Sequence, residues 1–344
     1  MAQAYDADVT TDSGSKPQGS DASGRFGRFG RFRRFGDGMW RRGIVIAVLA
    51  VAVAVVMAFH GSVPNRVGNL GSLLETFLPW IGLAIPLLLV AGLLRRSATA
   101  LIAGLLPIVV WLHFFGGLVS DKHSGGGDLT VVTHNVNVDN PDPAGTARDL
   151  IASGADLVAL EEIAAGQVSV YESALKARYP FHSVQGTVGL WSRYPLTGVR
   201  PVDTRLGWTR ALRATAATPH GKVAVYVAHL PSVRVKFNAG FTAGQRDRSA
   251  DALGEAIADE KLPDVILMGD LNGTMNDRAL ANVTSQMRST QGAAGRGFGF
   301  SWPADFPMAR IDQILVKGAE PTDSWVLPAT NSDHRPVAAK VALS

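Results

Sequence analysis

Several short segments of this chain close an apolar run with side chains that can bind cations, move protons or grip phosphate. In Val265-Ile266-Leu267-Met268-Gly269-Asp270-Leu271-Asn272, strand alternation puts Asp270 and Asn272 on one face, after a run with no other polar side chain. The preceding glycine permits close backbone approach, and a carboxylate beside a carboxamide suits water activation next to a phosphate; capping of a turn is the alternative use. In Thr133-His134-Asn135-Val136-Asn137, Asn135 and Asn137 share a face opposite His134, although a polar strand end taken alone is more often structural. The run ending in Glu161-Glu162 aims its two carboxylates to opposite sides if extended, so one of them enters a given pocket. His229 closes the run Val225-Tyr226-Val227-Ala228, where a core or capping histidine is the ordinary explanation. Asp312 sits inside an apolar strand, a costly place for an unpaired carboxylate, and Ser332-Asp333-His334-Arg335-Pro336 offers it a partner. Each segment is modest by itself; their joint occurrence in one region is not.

The elements that must position these groups read as a soluble α/β domain over residues 128–344. Strand-like runs lie at 129–138, 156–160, 223–230, 265–271, 311–316 and 336–341, and helical patterns at 144–153, 169–178 and 243–260. Polar residues gather where strands end, the place where a rigid scaffold presents a site.

The rest of the chain is different. Of 344 residues, 47% are hydrophobic and only 18% charged, a balance too apolar for a wholly soluble protein. There is no cysteine, which excludes disulfide frameworks, thiolate metal sites and cysteine nucleophiles. Residues 1–42 carry eight basic and five acidic groups and read as a disordered basic cytoplasmic tail, whose Arg-Phe repeat at 25–36 serves as a topology signal or lies on anionic headgroups. Apolar stretches at 43–59, 70–94 and 98–119 approach the roughly 20 helical residues that cross a bilayer, so 43–119 reads as a region of three transmembrane helices. Glu75 in the second stretch falls near an interface or serves function. A cleaved signal peptide is the rival account of the first stretch, but its basic leader would be unusually long. Arginines before the first span and at Arg95-Arg96 place the N-terminus inside and the large domain outside the cytoplasmic membrane. The glycine-rich linker 120–127, at most about 30 Å when extended, keeps that domain close to the bilayer. Residues 128–344 hold 21 basic and 22 acidic groups, so the positive charge belongs to the N-terminal third and general nucleic-acid binding is not expected.

The order THNVN, LVALEEI, LWSRYPL, VAHL, GDLN, RIDQIL and SDHRPV resembles the endonuclease/exonuclease/phosphatase superfamily over essentially all of 128–344. The resemblance implies a two-sheet α/β sandwich and a divalent-metal-dependent phosphoester hydrolase using Mg²⁺ or Mn²⁺. It implies that Glu162, Asn135 and Asp333 hold or organise the metal, that Asp270 orients the attacking water, and that Asn272 and His229 contact phosphate. Asp312 then buttresses the catalytic His334. Arg210 and Arg246 are candidate substrate-binding groups, with a solvated surface role as the alternative. His134, Glu161 and Ala228 depart from the usual aromatic, glutamine and threonine, which weakens analogy with DNA-repair members. The preceding spans further resemble VanJ-type membrane proteins associated with teicoplanin resistance, implying a lipid-linked pyrophosphate substrate, undecaprenyl pyrophosphate above all, with membrane lipids as the other partners. An extracellular nuclease, a phospholipid phosphodiesterase and a noncatalytic receptor or scaffold are the alternatives. Trp302, Pro303 and Trp325 read as packing rather than as a substrate lip.

Overall fold

The computed structural model describes residue 38 and residues 40–66, 68–233 and 240–344. The expected tail and its Arg-Phe repeat lie outside the described residues. From residue 129 onward the chain forms two six-stranded sheets. With β4 (Val188–Ser192), β5 (Leu196–Pro201) and β9 (Arg288–Ser289) among their strands, one has the order β11-β12-β1-β2-β4-β3 and the other β5-β6-β7-β8-β10-β9. The strands that matter are β1 (Leu129–Asn135), β2 (Leu157–Glu161), β6 (Ala211–Thr218), β7 (Gly221–Ala228), β8 (Val265–Asp270), β10 (Asp312–Lys317) and β12 (Val337–Ala342).

Alternation along these strands explains the sandwich. Leu129, Val131, Leu157 and Ala159 of the first sheet meet Leu212, Val225, Ile266, Met268 and Ile314 of the second in one buried cluster. The opposite faces, through Val132, Val158 and Leu160 on one side and Tyr226, Leu267 and Leu315 on the other, are covered by helices, so the central strands β2, β7 and β8 are buried on both faces. The strands expected at the site are present within a residue or three of their expected bounds. β3 (Phe181–Gln185), β4, β5, β6, β9 and β11 (Glu320–Val326) were not among the expected strands; exposed or alanine-rich runs such as Phe181–Gln185 and Ala211–Thr218 carry little strand signal.

Topology gathers the chemistry at one rim. β1 and β2 run parallel, as do β7 and β8, so Asn135, Glu161, Ala228 and Asp270 end at the same edge. β10 runs antiparallel to β8 and pairs Asp312 with Asp270; β12 runs antiparallel to β1, which brings the preceding His334 to that edge. Gly269 has φ of 150°, and a Cβ there would lie 1.8 Å from the Ala228 carbonyl oxygen, so only glycine lets β7 and β8 approach this closely ahead of Asp270.

Ahead of the sandwich stand α1 (Ile44–Ala58), α2 (Leu70–Thr76), α3 (Leu78–Leu94) and α4 (Ala98–Leu118). Among the described residues only α4 is long and apolar enough by itself to cross a membrane; α1 has 15 residues. The second expected span is not one straight helix: α2 and α3 meet at 77°. Pro79 causes the break, since it has no N–H and its ring would strike the carbonyl of Glu75 in a continuous helix. That carbonyl instead accepts a hydrogen bond from Thr274 Oγ1 at 3.1 Å, so the helix broken by proline is completed by the sandwich. α2 thereby lies against the catalytic rim while α1, α3 and α4 pack together with apolar exteriors, Val45, Val48, Leu87, Leu94 and Val109 among their exposed side chains. The 120–127 linker is held to the sandwich, with Ser124 N donating to the Thr322 carbonyl at 2.9 Å.

One ion pair ties the second sheet to its covering helix, Gly240–Ala258. Glu260 accepts from Arg213 Nε at 2.9 Å and Nη2 at 3.0 Å, from Tyr226 Oη at 3.0 Å and from the Leu262 amide at 3.1 Å. Burial pushes its carboxyl up, but the bonds from Arg213, Leu262 and Tyr226 outweigh it and hold the pKa down at about 2, against 4.5 for an ordinary glutamate. The stabilisation is therefore complete above about pH 4.5 and lost as pH falls toward 2. The urea midpoint of wild type is expected to fall between pH 6 and pH 3 by more than that of Glu260→Gln; equal falls would contradict this assignment.

Candidate active site

Three residues without glycine's freedom turn left-handed at the rim: Asn137 at φ 62°, Glu162 at 60° and Asn272 at 47°. Such backbone costs about 1–3 kcal/mol per residue and persists where surrounding contacts fix it. At Glu162 the turn resolves the pair of adjacent carboxylates. Glu161 completes β2 and is fully buried, accepting from Thr133 Oγ1 at 2.9 Å, with burial pushing its carboxyl well up. Glu162 swings into the cleft, 31% exposed, its Oε1 lying 3.3 Å from His229 Nε2 and its Oε2 accepting from the Val138 amide at 3.4 Å.

Asp270 is the centre of the arrangement. Its Oδ1 accepts from the Asn272 amide at 2.9 Å, and its Oδ2 from Asn135 Nδ2 at 3.0 Å and Asn272 Nδ2 at 3.1 Å. Burial raises its pKa to about 7, against the opposing pull of His334. Asn272 also donates to the Leu230 carbonyl, and Asn135 Oδ1 accepts from the Asn137 amide, so both carboxamides are fixed in orientation. His334 Nδ1 sits 2.9 Å from Asp312 Oδ2, which also accepts from Ser301 Oγ at 2.5 Å. Burial alone would lower the His334 pKa, but Asp312, Asp270 and Asp333 raise it to about 10, and its Nε2 faces Asp270 Oδ2 at 3.9 Å. His229 behaves oppositely: burial, then Arg210 and His334, hold it well below the ordinary range, so it enters the site neutral. The cleft therefore holds one cationic and one neutral imidazole.

The sequence candidates Asp270, Asn272, His229, His334, Asp312, Glu162 and Asn135 come together here. Asp333 is exposed at the margin, its Oδ1 accepting from Asn137 Nδ2 at 3.0 Å. Arg210 reaches the site, its guanidinium against the His229 ring and 5.0 Å over Trp208. Arg246 does not. It is fully buried, paired with Asp277 at 2.7 Å, and donates to the Asn272 carbonyl at 2.7 Å and to Ser72 Oγ at 3.1 Å. The expected phosphate contact is thus a brace behind the catalytic loop.

Trp302 departs from the packing reading, since it lines the cleft with its ring 6.5 Å from that of His334, whereas Trp325 packs on the core. Also outside the sequence candidates are Ser72, Leu73, Thr76 and Phe77, which form a wall of the cleft, a cavity of about 390 Å³. The available signal was Glu75 and Pro79 within an otherwise apolar run.

The donors facing the cleft fit a hard divalent cation. Glu162 offers oxygens with only long contacts, beside the carboxamide of Asn135, and no thiolate competes. Ligand-type atoms of Asp270, Asp312 and His334 also lie within 4.8 Å of one another. That trio is poorly suited to a metal, because His334 is cationic and Asp312 is occupied by His334 and Ser301.

Two outcomes test these placements. Asp312→Asn is expected to lower kcat on the order of 10²-fold with little change in KM, because it removes the charge that holds His334 cationic and oriented. Arg246→Ala is expected to destabilise the fold by about 3–5 kcal/mol in chemical denaturation, because Asp277 is left buried without its partner. An Arg246→Ala protein of wild-type stability with raised KM would restore the phosphate-binding role.

A model of the endonuclease/exonuclease/phosphatase family matches residues 132–334. Among solved structures, an endonuclease/exonuclease/phosphatase from Bacteroides vulgatus aligns with a TM-score of 0.54 at 16% identity, over 64% of this chain and all of its own (100%). Beta toxin from Staphylococcus aureus aligns at 0.51 and 16% identity, over 62% of this chain and 99% of its own. TDP2 from D. rerio, in complex with a single-strand DNA product, aligns at 0.51 and 19% identity, over 62% and 98%. No curated protein sequence matches the chain. At these identities the structural likeness is one of fold. The family match, spanning more than half of the chain and both ends of the cleft from β1 to His334, makes this protein a member of the endonuclease/exonuclease/phosphatase family of hydrolases.

Proposed function

We propose that this chain is a membrane-anchored, divalent-metal-dependent phosphohydrolase that releases inorganic phosphate from a lipid-linked pyrophosphate, undecaprenyl pyrophosphate above all. The observation that carries the reading is that the catalytic cleft is walled by α2, part of the apolar N-terminal region, through Ser72, Leu73, Thr76 and Phe77. A general nuclease has no need for such a wall. In this reading α4 crosses the membrane with the shorter apolar helices α1 and α3 packed beside it, the N-terminus is cytoplasmic, and α2 lies at the outer surface beneath the sandwich.

Glu162, with Asn135 and Asp333, would hold Mg²⁺ or Mn²⁺, which when bound neutralises charge on the phosphoryl oxygens. Asp270, held by Asn135 and Asn272, orients the attacking water and takes its proton. His334 directs a cationic N–H toward the position of the phosphoryl oxygens, and neutral His229 and the Asn272 carboxamide add hydrogen bonds. Arg210 supplies a fixed positive charge beside His229. The lipid monophosphate leaves as the second product, which ties the reaction to the cell-wall lipid cycle and to glycopeptide resistance of the VanJ type.

A phospholipid phosphodiesterase would use the same groups and is separated only by substrate. The nuclease alternative is disfavoured by the near-equal basic and acidic groups of 128–344. A noncatalytic scaffold has no need of a cationic His334 bridging two buried aspartates.

The full chain in detergent with Mg²⁺ is expected to release phosphate from undecaprenyl pyrophosphate, and Glu162→Ala to lower that rate on the order of 10²-fold or more. Turnover of a phosphodiester without release from the pyrophosphate would overturn the substrate, and a resistance phenotype untouched by Asp270→Ala would overturn catalysis as its cause.

A further inference from the structure

Beyond the catalytic cleft, toward the helices, lies a second cavity of about 480 Å³. Its walls are Pro79, Trp80 and Leu83 of α3, Trp111 and Leu112 of α4, and the sandwich residues Phe298 and Phe300. No charged side chain lines it. A narrow gap of about 20 Å³ shares Thr76 with the catalytic cleft and Pro79, Phe298 and Phe300 with the apolar crevice.

A single stretch of backbone serves both cavities. Phe298 and Phe300 line the crevice and Trp302 lines the cleft, three aromatic residues at every second position, while Ser301 between them turns inward to Asp312. Phe298 and Phe300 stack at 5.2 Å, and Phe300 stacks on Trp80 at 5.6 Å, whose Nε1 donates to the Met308 carbonyl at 2.7 Å. The crevice end of the aromatic track is therefore held in place through Trp80. Between the carboxylates and imidazoles of the cleft and the apolar crevice, the gap is lined by Thr76, Thr274, Asn276 and the buried Arg310 as well as by the aromatic rings. The outer lip of the crevice is Leu83, 59% exposed, and Leu112, 52% exposed, on the face where the apolar helix exteriors begin.

We infer that this crevice is the subsite for the hydrocarbon chain next to the scissile phosphate, so that the protein binds an amphiphile with its head at Glu162 and Asp270 and its chain between α3 and α4. The inference rests on the membrane phosphohydrolase reading and adds to it the part of the molecule that selects the substrate. The occupant follows from adjacency to the cleft: one stretch of backbone, Phe298 to Trp302, lines both, so a chain covalently attached to a bound phosphate is the hydrophobic group nearest this opening. Bulk lipid acyl chains filling the crevice independently of the substrate are the alternative that the test separates.

The measurement is kcat/KM of the full chain in detergent for dimethylallyl, geranyl and farnesyl pyrophosphate. Each methylene that moves from water into the crevice is worth up to about fourfold, so the series is expected to rise at least about tenfold. In Leu83→Trp, whose indole fills the crevice, the rise is expected to flatten, whatever the absolute rate. Leu112→Trp fills the same space from the facing helix should the first variant not fold. A flat series in wild type overturns the inference. A rise that survives in both filled variants also overturns it, because the chain then partitions into detergent or lipid. If no pyrophosphate is turned over, the substrate reading falls separately. The crevice is then decided without turnover, by photo-crosslinking with a farnesyl phosphate carrying a diazirine at the chain end. Labelling of the segments holding Leu83, Trp111 or Phe298 that Leu83→Trp abolishes upholds it, and labelling elsewhere overturns it.

Discussion

Two carboxylates, Asp270 and Asp312, face each other on paired antiparallel strands in a buried part of the second sheet. Such a pair repels itself and is poorly solvated, so it exists only with compensation. His334 supplies it by bridging both, Nδ1 to Asp312 and Nε2 toward Asp270. Everything else at the rim follows from that bridge. Burial, then Arg210 and the charge of His334, keep the neighbouring His229 neutral, Ser301 and two carboxamides fill the remaining acceptor positions, and Glu162, left with loose contacts, is the carboxylate free to face a cation. The electrostatics sort similar residues into different roles: two histidines of opposite charge state, and adjacent glutamates of which one is buried and one presented.

The second constraint is covalent. Pro79 prevents the apolar run 70–94 from being one helix, and the break gives the molecule its character. A continuous helix would leave the rim open to water on the side facing the bundle. The bend lays α2 across it, and the Glu75 carbonyl freed by the proline is taken up by Thr274, only two residues beyond Asn272. A local rule of backbone geometry thus becomes a wall of the cleft.

Much of this was legible beforehand because the information is local. Asp270 and Asn272 follow an uninterrupted apolar strand, and Asp312 lies alone within another, so their types and spacing betray them. Strand alternation alone did not choose between Glu161 and Glu162; the family resemblance pointed to Glu162, and the left-handed turn at that residue is what presents it. Arg246 misled for a related reason. An arginine near a phosphate site is a natural ligand by composition, and only tertiary burial against Asp277 reveals a brace. Ser72, Thr76 and Phe77 were hidden by their setting within an apolar stretch, where hydropathy reports the segment and not the contacts of its first turns. The weakly patterned strands β6 and β11 escaped because pairing, not propensity, makes them strands.

Arg246 shows how the two halves are joined energetically as well as spatially. One buried guanidinium binds the carbonyl of Asn272, the carboxylate of Asp277 and the hydroxyl of Ser72 on α2. Arg278, next to Asp277, approaches Glu75 at 3.6 Å and donates to the carbonyls of Gly61 and Val63. The loop that carries Asn272 is thus held from behind by groups that also grip the helical region. The Arg246 bonds to Ser72 and Asp277 are buried and charge-assisted, so separating the sandwich from the helices would cost Arg246 its Ser72 contact and Glu75 its contact with Arg278. The geometry at Asp270, one residue pair away, is consequently set by both halves together. A helix of the apolar N-terminal region that forms a wall of the cleft and satisfies a buried arginine is part of the architecture of the cleft itself.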